Sequence, residues 1–232
     1  MHIPDGYLGP GTCGFFYLVM LPIWTFASRI VKKTLKARQV PMLAIGAAFS
    51  FVIMMFNVPI PGGSTGHAVG AVLVAILLGP WAACIAVTVA LVIQALLFGD
   101  GGITVLGANC FNMAFIMPFA GYYIYKMISY NAPVTSKRRV IASGVAGYLG
   151  LNLAALFTGI EFGLQPLLHH TAGGQALYSP YGLSVAVPAM VVEHLLLFGW
   201  VEALVTALVI KYLQKHSPEL LEERQVNNEA HF

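Results

Sequence analysis

His67-Ala68-Val69-Gly70-Ala71-Val72-Leu73-Val74-Ala75-Ile76-Leu77-Leu78-Gly79-Pro80, with the apolar run that follows it to Phe98, decides the fold. The stretch 67–98 either crosses a membrane once or turns back partway and crosses again. A crossing takes about 20 apolar residues, so 67–78 alone is a short span. Gly79-Pro80 favours the second option. Glycine ends a helix readily, and proline is tolerated in the first turn of the next one.

Working outward, full-length apolar runs cover 13–30, 41–58, 80–98, 103–128, 139–160 and 184–213. The basic residues then distinguish the two counts. Arg29, Lys32, Lys33, Lys36 and Arg38 follow the first run. Lys126, Lys137, Arg138 and Arg139 flank the loop after 103–128, and Lys211, Lys215 and Arg224 follow the last. With the short stretch 67–78 as a span of its own, all twelve lie on one side, as cytoplasmic loops require. With six spans the second and third clusters would fall outside. The expected fold is therefore an all-α integral membrane bundle of seven transmembrane helices, N-terminus outside and C-terminus cytoplasmic. The outer face keeps Asp5, Asp100 and Glu161, with no basic residue.

Composition supports a membrane protein. Of 232 residues, 58% are hydrophobic and only 9% charged, and mean hydropathy is +0.79. Soluble domains carry about 25% charged residues. Residues 1–232 read as a single transmembrane domain, with a loop at 1–12 and a cytoplasmic tail at 214–232. His216 and His231 in that tail lie too far from the outer face to take part in capture there. Cys13, Cys84 and Cys110 are odd in number and sit in apolar runs, so they read as small core residues. The nine methionines lack paired spacing and read as core filler. The net charge of +3 comes from the cytoplasmic clusters and gives no reason to expect nucleic acid.

The first residues, Met1-His2-Ile3-Pro4-Asp5-Gly6, have the form of a metal chelator. They lack the basic and apolar regions of a secretory signal, and a residue as large as His2 protects Met1 from removal. The α-amine of Met1, the amide of His2 and Nδ1 of His2 can close two fused chelate rings around one ion. The loop Asn57-Val58-Pro59-Ile60-Pro61-Gly62-Gly63-Ser64-Thr65-Gly66-His67 brings an imidazole to the head of the short span. Irregular backbone at membrane depth must line a cavity or pack within protein. About ten residues separate His2 from the first span, enough at about 3.3–3.6 Å each to reach the midplane. Ile3-Pro4-Asp5-Gly6 predicts a type I turn folding the start back into the bundle, with Asp5 a turn former. Met1, His2 and His67 together make a square plane of four nitrogens, which suits Ni(II) or Cu(II). Zinc and calcium prefer other ligand sets, while Co(II) is compatible by ligand type. Ser64, Thr65 and Asn109 are candidates to orient the imidazoles or to cap helices.

These elements resemble the CbiM/NikM family, the substrate-binding components of energy-coupling-factor cobalt and nickel importers. The likeness rests on Met1 to Gly6, on Gly62-Gly63-Ser64-Thr65-Gly66-His67, and on Gly101-Gly102-Ile103-Thr104 with Gly107-Ala108-Asn109. It runs through essentially the whole chain. The resemblance implies a seven-helix bundle in a prokaryotic cell (inner) membrane, its N-terminal loop inserted from outside, with Met1, His2 and His67 holding the ion. Ni2+, alternatively Co2+, would be the transported substrate and not a cofactor. The implied partners are a transmembrane coupling subunit and two cytoplasmic ATPases, with a small accessory membrane subunit as a further candidate; lipid surrounds the bundle. The chain contains no Gly-Lys pair, hence no phosphate-binding loop of its own. Ala44 and Ala48, beside Gly46 and Ala47, permit close helix approach, either within the bundle or to the coupling subunit.

Two other functions were weighed. A stand-alone secondary transporter would need a carboxylate relay within the spans, and Glu193, His194 and Glu202 fall on different faces. That cluster is better explained by pairing with a partner subunit or with a loop. An intramembrane hydrolase could use Ser64 with His67, but no oriented acid accompanies them. His169-His170 read as a solvated pair in an outer loop, with metal collection the sharper alternative.

Overall fold

The protein is described from a computed structural model, covering residues 1–61 and 64–221. Gly62 and Gly63, and Arg224, His231 and the rest of 222–232, lie outside the described residues.

Pro10 opens α1 (Pro10–Thr34), with Lys32 and Lys33 in the last turn, where cations complement the helix dipole. α2 spans Val40–Met54. The loop predicted after it is a small hairpin, β1 (Val58–Ile60) against β2 (Ser64–Gly66), antiparallel with Val58 opposite Gly66. Gly70, with φ +74°, then admits α3 (Ala71–Leu78). Seven of the eight residues of α3 are buried, as expected of a short helix that is apolar all round. Gly79 has φ +94° and leads directly into Pro80 at the start of α4 (Pro80–Ile93). The Gly-Pro break predicted from sequence is present.

α4 runs on through a π turn at Gln94–Phe98. α5 (Leu106–Asn109), a π turn (Cys110–Ile116) and α6 (Met117–Ile128) form one continuous helical stretch. α7 (Lys137–Leu168) is the axis of the bundle, packed against α6, α8 (Leu183–Glu193) and α9 (Gly199–His216). A third π turn, His194–Phe198, joins α8 to α9. Among the described residues, four stretches are long and apolar enough to cross a membrane: Pro10–Thr34, Pro80–Phe98, Lys137–Leu168 and Leu183–His216. Leu18, Leu97 and Leu196 are exposed on the outer surface, where an apolar face marks a membrane contact.

Two expectations change. α7 is longer than 139–160, so Glu161 lies within it and not in an outer loop; its carboxylate is buried and accepts from Asn112 Nδ2 at 2.9 Å. α9 continues to His216, so Gln214 is helical; its amide donates to Ser136 O at 3.0 Å and also to Val134 O. The cysteines are free and buried as expected, and Ala44 and Ala48 are both exposed on α2.

Candidate metal centre

The chain start is folded into the bundle. Met1, Ile3 and His67 are fully buried and His2 is 3% exposed. The turn sits one residue later than predicted: Tyr7 N donates to Pro4 O at 3.3 Å and Gly6 has φ +85°. A positive φ at the third turn position belongs to a type II turn, which glycine accepts without a Cβ clash. Asp5, no longer at the turn's third position, is free to bind. Its carboxylate accepts from Ile103 N (3.1 Å), Thr104 N (2.9 Å) and the Thr104 hydroxyl. Partial burial alone would raise its pKa, but the bonds from the Thr104 side chain and the neighbouring amides outweigh it and hold the group below 3.8.

Asn109 secures the next residue inward. Its Oδ1 accepts from Ile3 N at 2.8 Å and its Nδ2 donates to Ile3 O at 3.0 Å. Gly102 N donates to the same carbonyl at 3.0 Å. A Cβ at Gly102 would lie 2.5 Å from Asp5 N, so the loop needs glycine there. The Gly101–Asn109 segment is thus a receptor for the N-terminal loop.

Met1 and His67 meet at its end. The α-amine lies 3.2 Å from His67 Nε2 and donates to Thr65 O. The His2 and His67 rings stack, centroids 4.5 Å apart. Their tautomers follow from their neighbours, since a carbonyl oxygen can only accept. His67 Nδ1, 3.1 Å from Ala68 O, carries its proton, which leaves Nε2 with a lone pair facing the amine. His2 Nε2 lies 3.1 Å from the Gln94 side-chain oxygen, so the proton is there. Nδ1 is then a bare acceptor, buried without a hydrogen bond and 3.4 Å from Asp100 Oδ1. Ligating histidines are commonly fixed in this way, donating through one ring nitrogen to keep the other free. Burial also pushes the amine from 8.0 down to about 4, which keeps its lone pair available at neutral pH.

Among the described residues no three His, Cys, Asp or Glu side chains gather into a metal cage. A site here must draw on main-chain nitrogen as well as imidazole. The proposed orienting residues act differently from expectation. Ser64 Oγ donates to His2 O at 3.2 Å, Thr65 contributes its carbonyl, and Asn109 holds Ile3. All three grip the N-terminal main chain, and the imidazoles are oriented instead by Gln94 and Ala68. Ser64 being committed to a carbonyl, no Ser–His nucleophile pair forms. Gln94 was missed; its signal was a lone amide in an apolar run, now at the start of a π turn. Glu202 pairs with a loop as anticipated, accepting from Val69 N (2.8 Å) and Gly70 N (3.0 Å). His169 packs beside Gly9 and lies 3.4 Å from Thr12 Oγ1, while His170 stays near the surface.

Residues 2–220 match the family described as the cobalt uptake substrate-specific transmembrane region, CbiM. The chain belongs to the CbiM family. It is 52% identical over 225 residues to the fused nickel transport protein NikMN of Rhodobacter capsulatus, covering 97% of this chain and 65% of that one. The chain therefore spans slightly under two thirds of that fused relative. A metal transport protein of Methanocaldococcus jannaschii is 50% identical, with 98% of each chain covered. A crystal structure of a truncated transition metal transporter superposes with a TM-score of 0.89 at 58% identity, over 93% of this chain and 99% of that one. Family and helix composition together make this CbiM-family chain a multi-pass membrane protein.

Proposed function

We propose that this chain is the substrate-binding component of an ATP-driven energy-coupling-factor importer, taking up Ni2+ or alternatively Co2+ from outside. In this reading Met1 N, the His2 amide, His2 Nδ1 and His67 Nε2 form the square plane. The observation that carries it is the 3.2 Å approach of the Met1 amine to His67 Nε2, with His2 stacked beside them and its Nδ1 unpaired. The family description and the nickel transport relative support the substrate class. Nickel is favoured over cobalt, because a deprotonated-amide plane suits low-spin d8.

The seven-span count with the N-terminus outside is part of this proposal. The Gly79–Pro80 break between α3 and α4 supports it, as does the collection of all Lys and Arg on one side. ATP hydrolysis belongs to two cytoplasmic partners, and force reaches this chain through a membrane coupling subunit. The exposed Ala44 and Ala48 of α2 offer a close-approach face for that subunit.

The test compares the native-start protein with one carrying two extra residues before Met1, which places the histidine fourth from the new amine and out of reach of any fused chelate with it. The extension removes the primary amine and touches no side chain. Expected is one square-planar Ni(II) in the native-start protein and loss of that spectrum in the extended one. Equal affinity and identical spectra in the two forms refute the chelate.

A further inference from the structure

His194 has no part in the chelate, yet it carries the same preparation as His67. It is fully buried. Its Nδ1 lies 2.6 Å from Met190 O, so the proton sits on Nδ1 and the lone pair on Nε2. Among the described residues that Nε2 finds no hydrogen-bond partner. A buried acceptor without a donor is destabilising, and an apolar residue would fill the space without that cost.

Its position connects it to the site. His194 opens the π turn that joins α8 to α9, a feature that re-aims side chains and clusters at functional positions. Its ring packs against Phe198 at 5.4 Å. Phe198 in turn lies flat against Gly66, where any Cβ would overlap the ring, and Gly66 precedes His67. In the proposed topology, the eleven residues of α8, Leu183 to Glu193, carry the chain down about 17 Å from their outer end, which sets His194 near the middle of the bilayer.

We infer that His194 is a second-stage ligand, which shares His67 with the chelate and holds the divalent transition-metal ion once the N-terminal loop has released it. The inference rests on the proposed N-terminal site. The hand-off exchanges three nitrogens from the loop for one imidazole, with His67 as the common anchor. Both imidazoles donate neutral lone pairs and lose no proton in the step, while the His2 amide, deprotonated in the chelate, takes up one proton from water as the loop lets go. Such a stage is weaker than the chelate, as release toward the cell interior requires.

The decisive experiment uses the form extended before Met1, in which the chelate is absent. Ni(II) titration of that protein is expected to leave one weaker site, and His194→Gln in the same background weakens it by more than about tenfold. In the native-start protein His194→Gln keeps the square-planar spectrum and equilibrium affinity. X-ray absorption on the extended protein with native His194 counts the bound imidazoles, so a poorly folding variant leaves the inference testable; two are expected. Fewer than two imidazoles, no residual site, a residual site indifferent to His194→Gln, or loss of the square-planar spectrum in the native-start variant each overturns the inference. A native-start protein that never forms the square plane refutes the chelate instead.

Discussion

Asn109→Ala tests the idea that the N-terminal loop is a ligand held in place by the rest of the bundle. The side chain makes two hydrogen bonds to Ile3, at 2.8 and 3.0 Å, both buried. Alanine leaves Ile3 N without that partner, while Ile3 O keeps Gly102 N. An abandoned buried main-chain donor costs about 1–3 kcal/mol, and the second lost bond about 0.5–1.5. Destabilisation of the inserted loop by about 1.5–4.5 kcal/mol corresponds to a factor of about 10 to 2,000 in its population relative to the released loop. In the proposed site metal binds only the inserted form, so apparent affinity is expected to fall with that population once released loop predominates. The assay is competition for Ni(II) against a chromogenic chelator in nanodiscs, paired with aminopeptidase digestion of the metal-free protein. Asn109→Asp keeps the acceptor for Ile3 N and sets a carboxylate oxygen against Ile3 O, so it falls between wild type and alanine. Binding within about twofold of wild type, with the N-terminus still protected from digestion, refutes the reasoning.

Acid should release the loop by two routes. The Asp5 carboxyl is held below 3.8 in the inserted state, so its anchoring is complete above the ordinary carboxylate pKa and is lost as pH falls through the depressed value. The Met1 amine moves from 8.0 to about 4 on burial, so insertion strengthens between about pH 4 and 8, by up to about 1.4 kcal/mol per unit. NMR of the His2 and Asp5 amides from pH 8 down to below the ordinary carboxylate pKa reads both, and a loop equally ordered at about pH 5 and pH 8 contradicts the amine's part. Gly102→Ala forces a Cβ against Asp5 N; reduced Ni(II) affinity with an unchanged melting temperature is expected, since the clash falls on the loop and not the bundle. Glu202→Ala strips the acceptor from Val69 N and Gly70 N; a loss of about 2–5 kcal/mol in stability follows, read by thermal unfolding in detergent, and Glu202→Gln recovers part of it.

The helices were legible because each apolar run announces itself, and because Gly79-Pro80 leaves only one backbone solution. The ends of α7 and α9 were not. Helix length past the apolar run depends on neighbours, and Glu161 stays inside α7 because Asn112 reaches it from the α5–α6 stretch. The turn at the chain start moved by one residue because Gly6 takes positive φ, leaving Asp5 for Thr104. Ser64, Thr65 and Asn109 were found as residues near the site, but their partners were misread, since sequence names donors and acceptors without saying which will meet.

By itself the sequence determined a membrane bundle and its helix breaks, and it supplied the residues of the proposed chelate, Met1, His2 and His67. These follow from local chemistry: apolar length, proline and glycine geometry, and atoms adjacent along the chain. Tertiary structure alone decided that Gln94 and Ala68 set the imidazole tautomers, that Asn109 and Asp5 moor the loop, and that His194 keeps an unpaired nitrogen in the core. Those facts depend on residues up to 106 positions apart coming within hydrogen-bond distance, and packing, which no local pattern encodes, brings them there.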